Sequence, residues 1–340
     1  MKKWIWGLGA TGVILLISAF LLGRFVFPSG APEYLPKPEV AEGQRGELGI
    51  DKNVNEATID KYLGRPDAVY IDLRMLQDPV NYEAIGGDAD LSGFVRGFEV
   101  VPLPYIVNVT GLPEEVGETY TGTTLFTFDG EKYIPNFEES MDILETLFPK
   151  DKILFLMCGG GGYAGMMKKM LVALGWDETK IYVVGGYWFY EGENRVEVKR
   201  TRPDGTVVYD FYKVPYHEID FSQLTKVEAG ELISISVASF EKMSAERRSF
   251  LVLIDQAGCR TADELKGYLR NFLESKGWFG YRMMFSEVKE TTLSEYIKYY
   301  PSVVVIKNGE VFAYLKADAE EDADKYNNYE IFQDWIEPLF

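Results

Sequence analysis

Residues 158–165, CGGGGYAG, contain one of the two cysteines of this chain and determine how the surrounding sequence is interpreted. They follow the apolar run 152–157 (KILFLM), which is typical of a buried strand, and precede 166–174 (MMKKMLVAL), which has a helical pattern. Backbone N–H groups of a glycine loop can turn inward, and the start of a helix adds partial positive charge. The pattern therefore predicts an α/β domain in which Cys158 is held as a reactive thiolate.

The backbone amides that follow this cysteine form a predicted anion cradle. Such amides would hold a charged sulfur adduct or an oxyanion. The cradle comprises Gly159, Gly160, Gly161, Gly162, Tyr163 and Ala164. The alternative is an inert, buried cysteine beside a tight turn. Four consecutive glycines lose much backbone entropy when they are ordered, which favours the reactive thiol.

Three further segments extend this pattern over about residues 55–195. They are 68–74 (AVYIDLR), 93–102 (GFVRGFEVVP) and 180–188 (KIYVVGGYW). In order and spacing they resemble the first core strand, the Gly-His-Ile-Pro-Gly-Ala segment and the last parallel strand of rhodanese-like domains. The resemblance implies a structural role for Asp72 and Arg74. It also implies a sulfurtransferase in which the cysteine accepts sulfane sulfur as a persulfide and passes it on.

The chain departs from rhodanese-like domains at two positions. Tyr163 stands where the family loop commonly holds an arginine, and Phe94 stands where the family holds a histidine. Because the loop lacks this cation, we expect it to bind thiosulfate, a dianion, less well than persulfides or polysulfides. The short loop after Cys158 still resembles the sulfurtransferases, since related phosphatases use a longer loop that ends in an arginine.

The N-terminal segment predicts a membrane anchor. Lys2 and Lys3 precede a largely apolar run, residues 4–23, which is long enough to cross a bilayer as a helix. Since the lysines are expected to stay in the cytoplasm, residues 1–27 would form a cytoplasmic stub and a single-pass anchor in the cell membrane, with the domains outside the cytoplasm. A cleaved signal peptide is the alternative. Residues 28–54, rich in proline, glycine and charge, are predicted to be a linker.

Composition limits the partners and cofactors. The 340 residues carry a formal net charge of -18, which makes nucleic acid or an anionic bilayer surface a poor partner. Two cysteines and one histidine cannot supply a typical structural zinc site, and no cofactor is predicted. A disulfide between Cys158 and Cys259 would bridge two predicted domains, so both thiols are expected to be free. The predicted partners are a small sulfur donor or a thiol-bearing acceptor protein.

The C-terminal third predicts a second α/β domain over about residues 225–340. Its buried strand 250–255 (FLVLID) is followed by a cysteine and then by a helix at about 262–275, with a capping box formed by Thr261 and Glu264. The cysteine is thereby placed just ahead of a helix N-terminus.

This second domain resembles the thioredoxin fold. The Asn-Gly turn at 308–309 would join its last two strands, and Pro301 would be the family's cis-proline, opposite the cysteine. The family's Cys-x-x-Cys motif runs from Cys259 to Ala262 here, so the resolving cysteine is absent and the domain cannot form its own disulfide. Two interpretations stay open. Either Cys259, aided by Arg260, forms a mixed disulfide or persulfide, or the domain only binds partners.

Two hairpins are predicted outside these cores. Residues 124–133 turn at an Asp-Gly pair. Residues 196–212 turn at a Pro-Asp-Gly triplet, within a connector that spans 196–224. The sequence does not decide whether they pack the domains together or frame a site.

One motif predicts a metal site, in competition with the rhodanese-like interpretation. Residues 88–99 match the spacing of an EF-hand calcium loop. The candidate ligands are Asp88, Asp90, Ser92 and Glu99. An EF-hand needs a helix on each side, and the prolines that follow cannot continue one. We therefore expect no metal here.

Together these features predict a membrane-anchored, extracytoplasmic protein with a rhodanese-like parallel-sheet domain followed by a thioredoxin-like α/β domain. The predicted function is sulfane-sulfur or thiol-redox chemistry, with Cys158 as the nucleophile and Cys259 as a second thiol site. The alternative is a non-catalytic envelope binding or assembly protein in which both sites are degenerate. A cysteine at each family position favours chemistry, whereas the missing arginine and resolving cysteine favour binding.

Overall fold

The computed structural model of the chain describes residues 34–79, 82, 87–109 and 120–340. The predicted membrane anchor, residues 1–27, and the beginning of the predicted linker lie outside the described residues. Among the residues that are described, none of the helices is long and apolar enough to cross a membrane.

The described residues form a mixed α/β structure. Its strands are, in chain order, β1 (Ala68–Asp72), β2 (Gly93–Val95), β3 (Glu99–Val100), β4 (Phe126–Phe128), β5 (Tyr133–Pro135), β6 (Ile153–Cys158), β7 (Ile181–Gly186), β8 (Arg195–Glu197), β9 (Lys199–Thr201), β10 (Val207–Tyr209), β11 (Leu232–Ser234), β12 (Phe250–Asp255), β13 (Gly280–Met284), β14 (Ser302–Lys307) and β15 (Glu310–Tyr314). Its α-helices are α1 (Leu103–Ile106), α2 (Ser140–Leu147), α3 (Gly162–Ala173), α4 (Val237–Ala245), α5 (Arg260–Lys276), α6 (Phe285–Val288) and α7 (Tyr329–Ile336).

The chain folds into two compact units. Unit 1 comprises the described residues up to Thr123 together with Asp142–Thr225, and unit 2 comprises Thr124–Met141 and Lys226–Phe340. The hairpin of β4 and β5 thus belongs with unit 2, although the predicted first domain, 55–195, includes it. The physical reason is pairing across a long sequence separation, since Phe137 forms an antiparallel bridge with Lys226.

Unit 1 is built on a parallel sheet with the strand order β3-β1-β6-β7. From Leu154 to Cys158 every residue of β6 is buried, because a central parallel strand is covered on both faces. This burial accounts for the continuous apolar run in the sequence. The carboxyl ends of β1, β6 and β7 bring Asp72, Cys158 and Gly186 to one edge of the sheet.

The end of the predicted linker packs on unit 1, contrary to the expectation of a free tether. The Asp51 N–H donates to the Val183 carbonyl in β7 at 2.8 Å, and the Asp51 carboxylate accepts from the Val54 N–H at 2.6 Å. Ile50 and Val54 are buried. The composition of this segment indicated a linker, but a few apolar and acidic side chains suffice to fix it against the sheet.

Unit 2 contains a five-stranded sheet with the order β11-β13-β12-β14-β15. The first three of these strands are parallel to one another, and β14 and β15 are antiparallel to their neighbours. Alternating residues of β12 enter different buried clusters, with Val252 and Ile254 in one and Leu251 and Leu253 in another. The sheet is therefore covered on both faces.

The predicted hairpins are present. β4 pairs with β5 across the Asp-Gly turn, and β9 pairs with β10 across Pro-Asp-Gly. β14 pairs with β15 across Asn308 and Gly309, which both have positive φ, as a tight hairpin turn of this type requires. The remaining strand of the connector, β8, pairs with β2 instead of extending the second hairpin.

Candidate functional site

Cys158 is the last residue of β6 and lies at the edge where the parallel strands of unit 1 end. Its register partner on β7 is Gly186, and Asp72 on β1 is paired with the preceding residue, Met157. Ligands of open α/β sheets bind at the carboxyl ends of the strands. The structure therefore places this predicted nucleophile where such sheets carry their sites.

The helix after the cysteine begins earlier than the sequence pattern indicated. It starts at Gly162, with Gly161 as the N-cap, so Tyr163 and Ala164 lie in the first helical turn. The predicted start was Met166. Because Gly161 adopts φ +115°, the chain can enter the helix after only three loop residues.

Part of the predicted amide cradle contacts the cysteine. The Gly161 N–H donates to Cys158 Sγ at 3.1 Å. Backbone hydrogen bonds from Ala164, Gly161 and Tyr163 lower the pKa of Cys158, but burial outweighs them and the net shift of the pKa is upward. The prediction that the pKa of Cys158 is lowered is therefore wrong. Cys158 is only 3% exposed, so the loss of hydration destabilises its thiolate more than the hydrogen bonds from the amides stabilise it.

The loop glycines have different physical roles. A Cβ on Gly159 would lie 2.5 Å from the Trp188 ring, and one on Gly160 would lie 3.3 Å from the same ring. Trp188 also donates its backbone N–H to the Gly159 carbonyl at 3.1 Å. These two glycines are thus explained by the close approach of an aromatic cover, and Gly161 is explained by its positive φ. A Cβ on Gly162 would meet no atom within 4 Å.

Tyr163, which occupies the predicted arginine position, belongs to a hydrogen-bonded cluster. Its hydroxyl donates to Asp78 Oδ2 at 3.0 Å, and the Tyr82 hydroxyl lies 2.7 Å from it and 3.1 Å from the same carboxylate oxygen. Burial raises the pKa of both tyrosines well above the usual range, so both are neutral phenols. The charge of Cys158 also contributes to the raised pKa of Tyr82, which places Tyr82 within electrostatic range of the thiol.

Asp72 and Arg74 form a buried ion pair beside the cysteine strand. Arg74 Nε donates to Asp72 Oδ1 at 3.0 Å, and its Nη2 donates to Asp72 Oδ2 at 2.5 Å and to the Gly93 carbonyl at 2.7 Å. The guanidinium carbon lies 4.3 Å from the centre of the Tyr187 ring. These contacts tie the end of β1 to β2 and to the residue after β7.

Cys259 in unit 2 sits in a more open setting. It is the N-cap of α5 and is half-buried, and its carbonyl accepts from the Asp263 N–H at 3.1 Å. The predicted capping box of Thr261 and Glu264 is absent because the helix already starts at Arg260. Glu264 instead accepts from Arg260 Nε at 3.1 Å.

Pro301 lies at the same sheet edge as the loop that carries Cys259. The Tyr300–Pro301 bond is cis, and Ser302, the next residue, pairs with Ile254 near the end of β12. The Pro301 carbonyl accepts from the Tyr326 hydroxyl at 3.0 Å. The structure thus brings the predicted proline and the end of the cysteine strand to one edge.

The weak calcium candidate does not form a site. Asp88 is paired with Lys199 and Glu99 with His217, at 3.3 Å and 2.7 Å. The segment between them forms β2 and β3 instead of a loop between helices. In the part of the chain that the structure describes, no group of three or more His, Cys, Asp or Glu side chains could hold a metal ion.

Sequence reasoning missed Trp188, Tyr82 and Asp78. Trp188 is the second residue after the Gly-Gly pair that ends β7, so its place near the end of the sheet could have been inferred from that pair. Tyr82 and Asp78 carry no such signal, because they meet Tyr163 only through contacts that are distant in sequence. Both cysteines are free, as expected.

No protein-family model matches this chain, and no curated protein is significantly similar to it. Solved thioredoxin structures do match. The thioredoxin f2 in a complex with ferredoxin:thioredoxin reductase is 12% identical, with a TM-score of 0.27, and covers 33% of this chain and 98% of its own. A mutant thioredoxin from Halobacterium salinarum is 14% identical, with a TM-score of 0.23 and coverages of 32% and 94%. Oxidised thioredoxin from Plasmodium falciparum is 17% identical, with a TM-score of 0.24 and coverages of 30% and 98%. The described residues form a mixed α/β structure, and solved thioredoxins are among its structural neighbours.

Proposed function

We propose that this protein handles sulfane sulfur at Cys158, in a rhodanese-like unit 1, and that Cys259 in a thioredoxin-like unit 2 is a second thiol site. The observation that carries the proposal is the set of backbone amides of Gly161, Tyr163 and Ala164, which hydrogen-bond to Cys158 at the end of a parallel strand. Amides fixed around a sulfur stabilise the negative charge of a persulfide adduct. The buried Asp72–Arg74 pair at the neighbouring strand end supports the same interpretation.

The burial of Cys158 restricts which donor can react. A sulfur with 3% exposure is reached only by a small molecule or by the terminal atom of a larger one. Its raised pKa keeps it protonated near neutral pH, so the thiol must lose its proton during the reaction. The donor class that fits is a small sulfane compound that leaves as a thiolate able to take up that proton.

Cys259 is proposed to attack a disulfide or persulfide of a partner protein. A new S–S bond forms at Cys259, the partner's S–S bond breaks, and its other sulfur leaves as a thiol, so no external oxidant is needed. Cys259 is the half-buried N-cap of the long helix α5, whereas Cys158 is buried. Because no second cysteine lies in its own loop, a mixed disulfide or persulfide at Cys259 would need an external thiol to resolve it.

The N-terminal residues 4–23 are proposed to anchor the protein in the cell membrane, with the two units outside the cytoplasm. This part of the proposal rests on the length of the apolar run and on Lys2 and Lys3. We expect the full-length chain to remain in the membrane fraction after a high-salt wash, and a chain without residues 1–27 to be released from it. Recovery of both chains in the same fraction would contradict the anchor.

A second candidate function is a non-catalytic binding or assembly role. The specific observation in its favour is the aromatic cover: Trp188 lies against Gly159 and Gly160, and the pKa of Cys158 is raised by burial. In that case the thiol is a buried apolar side chain and the glycines serve packing alone.

Intact-mass analysis distinguishes the two candidates. The full-length protein is exposed to a small hydropersulfide, to inorganic polysulfide and to thiosulfate under native conditions, and peptide mapping locates any added sulfur. We expect one sulfur atom on Cys158, lost in Cys158→Ser and retained in Cys259→Ser. Absence of added sulfur with all three donors would contradict sulfur transfer and leave the binding role.

A further inference from the structure

We infer that Tyr163, Asp78 and Tyr82 form the donor-selecting element of the Cys158 site, and that they select a small, neutral hydropersulfide over an anionic sulfur donor. This inference rests on the proposed function and adds to it the substrate class and the residues that choose it. Its basis is the hydrogen-bonded cluster of two phenols and one carboxylate beside the cysteine loop.

The cluster is joined to the cysteine through the helix start and through the aromatic cover. Tyr163 donates its backbone N–H toward Cys158 and its side chain to Asp78. The Tyr82 ring lies 5.4 Å, centre to centre, from the Trp188 ring that covers Gly159. Tyr163 of the cluster therefore lies in the helical turn whose amides hold the sulfur, and Tyr82 contacts the Trp188 ring that covers the loop.

The charges in this region disfavour an anionic donor. The largest charge acting on Cys158 is the Asp72 carboxylate, which raises the pKa of the thiol, and the cluster adds the carboxylate of Asp78. Arg74 is committed to Asp72 and to the Gly93 carbonyl. Because the Asp72–Arg74 pair has no net charge, the carboxylate of the cluster that would repel a dianion such as thiosulfate is Asp78, whereas a neutral hydropersulfide would not be repelled.

The two phenols also supply what a neutral donor needs. In the transfer, Cys158 sulfur attacks the outer sulfur of R–S–SH, a new S–S bond forms, and the donor S–S bond breaks with its electron pair on R–S. The proton of the Cys158 thiol ends on that sulfur, so R–S–SH and Cys158–SH give Cys158–S–SH and R–SH without an external oxidant or reductant. Each phenol has one hydrogen, which it donates within the cluster, so one of them must turn its hydroxyl from Asp78 to the leaving sulfur in order to stabilise the developing charge.

Sulfur loading by three variants of the full-length protein tests this assignment. The rates at which Cys158 gains sulfur from a small hydropersulfide and from thiosulfate are measured for Tyr82→Phe, Tyr163→Phe and Asp78→Asn. Loss of one hydrogen bond to the leaving group should slow hydropersulfide loading in either phenylalanine variant about tenfold. Asp78→Asn should raise the thiosulfate rate relative to the hydropersulfide rate about fivefold, because it removes a nearby negative charge.

Tyr190→Phe is the matched control. Tyr190 is buried and donates its hydroxyl hydrogen to Asp60 Oδ1 at 2.5 Å. It therefore forms a second phenol–carboxylate pair in the same unit, outside the cluster. Thermal unfolding of each variant identifies a loss of folding, and the ratio of the two donor rates is independent of the fraction that is folded.

The outcomes separate the two proposals. If the unaltered protein gains sulfur and the donor ratio of the three variants equals that of Tyr190→Phe, the cluster does not select the donor and only this inference fails. If the unaltered protein prefers thiosulfate, this inference also fails while sulfur transfer stands. If no donor loads the unaltered protein, the proposed function fails and the inference fails with it.

Discussion

The two cysteine sites share a layout and differ in what covers the sulfur. In each, the thiol lies at the end of a buried strand or a few residues after it, and a helix begins within four residues of the thiol. Cys158 lies beneath a loop packed against Trp188 and is buried, whereas Cys259 is a half-buried N-cap beside an exposed arginine. The strand–thiol–helix pattern therefore fixes the position of a cysteine in the fold but not its access to solvent.

The largest expected difference is in the rate of alkylation. With a bulky maleimide at neutral pH, we expect Cys259 to react about a thousandfold faster than Cys158. The reason is that Cys158 must first be uncovered by a local opening of about 4 kcal/mol. Time-resolved peptide mapping measures both rates in one sample, and Cys158→Ser and Cys259→Ser confirm the assignments. Equal rates would remove the distinction between the two sites.

The two sites also differ in their arginines, because Arg74 is buried in an ion pair and Arg260 is exposed. Arg74→Met should lower the free energy of unfolding of unit 1 by about 3–5 kcal/mol, because it leaves the Asp72 carboxylate buried without its partner. Arg260→Met should change the free energy of unfolding by less than about 0.5 kcal/mol, because the Arg260 side chain is 92% exposed. Urea unfolding of both variants tests this, and similar losses would show that the Asp72–Arg74 pair is not a structural support.

The glycines of the Cys158 loop offer a comparison within one site. Gly159→Ala should lower the free energy of unfolding by about 1–3 kcal/mol, because its methyl group would overlap the Trp188 ring. Gly162→Ala is the matched control. It meets nothing within 4 Å in the first turn of α3 and should be neutral or stabilise by up to about 1 kcal/mol. Equal effects of the two substitutions would contradict the assigned role of Trp188.

The smallest expected effect concerns Arg260. Because its guanidinium is exposed and already paired with Glu264, Arg260→Ala should slow the alkylation of Cys259 by no more than about twofold. The residual effect should disappear at high salt, since the screening length shortens. A tenfold loss that persists at high salt would mean that Arg260 contacts the sulfur directly during the reaction.

Much of the fold around Cys158 follows from local patterns. The apolar run 152–157 and the segment 180–188 predicted strands that are present, and the Asp-Gly and Asn-Gly pairs predicted hairpins that are present. The same patterns placed the helix start four residues too late, at Met166. The cause is that glycines at 161 and 162 have low helix propensity, whereas in the fold Gly162 starts the helix and Gly165, in its first turns, lies close to the Leu48 backbone.

The pKa of Cys158 could not be predicted in the same way. The sequence revealed the amides and the helix that lower it, since these are neighbours along the chain. It did not reveal the degree of burial or the Asp72 carboxylate, which together outweigh them. The same limit applies to the linker, because Asp51 is fixed by a hydrogen bond to Val183 on a distant strand.

Local patterns in the chain suffice to predict the mixed α/β class, the hairpins and the position of each cysteine between a strand and a helix. These features depend on periodicity, turn chemistry and the order of elements, all of which act over a few residues. Three features depend on contacts between distant segments. Trp188 lies against the cysteine loop, and Tyr163 meets Asp78 and Tyr82. Cys158 is buried, whereas Cys259 is half-exposed. Burial and hydrogen bonding between distant segments arise when the sheet closes, and they set the chemistry available to a thiol.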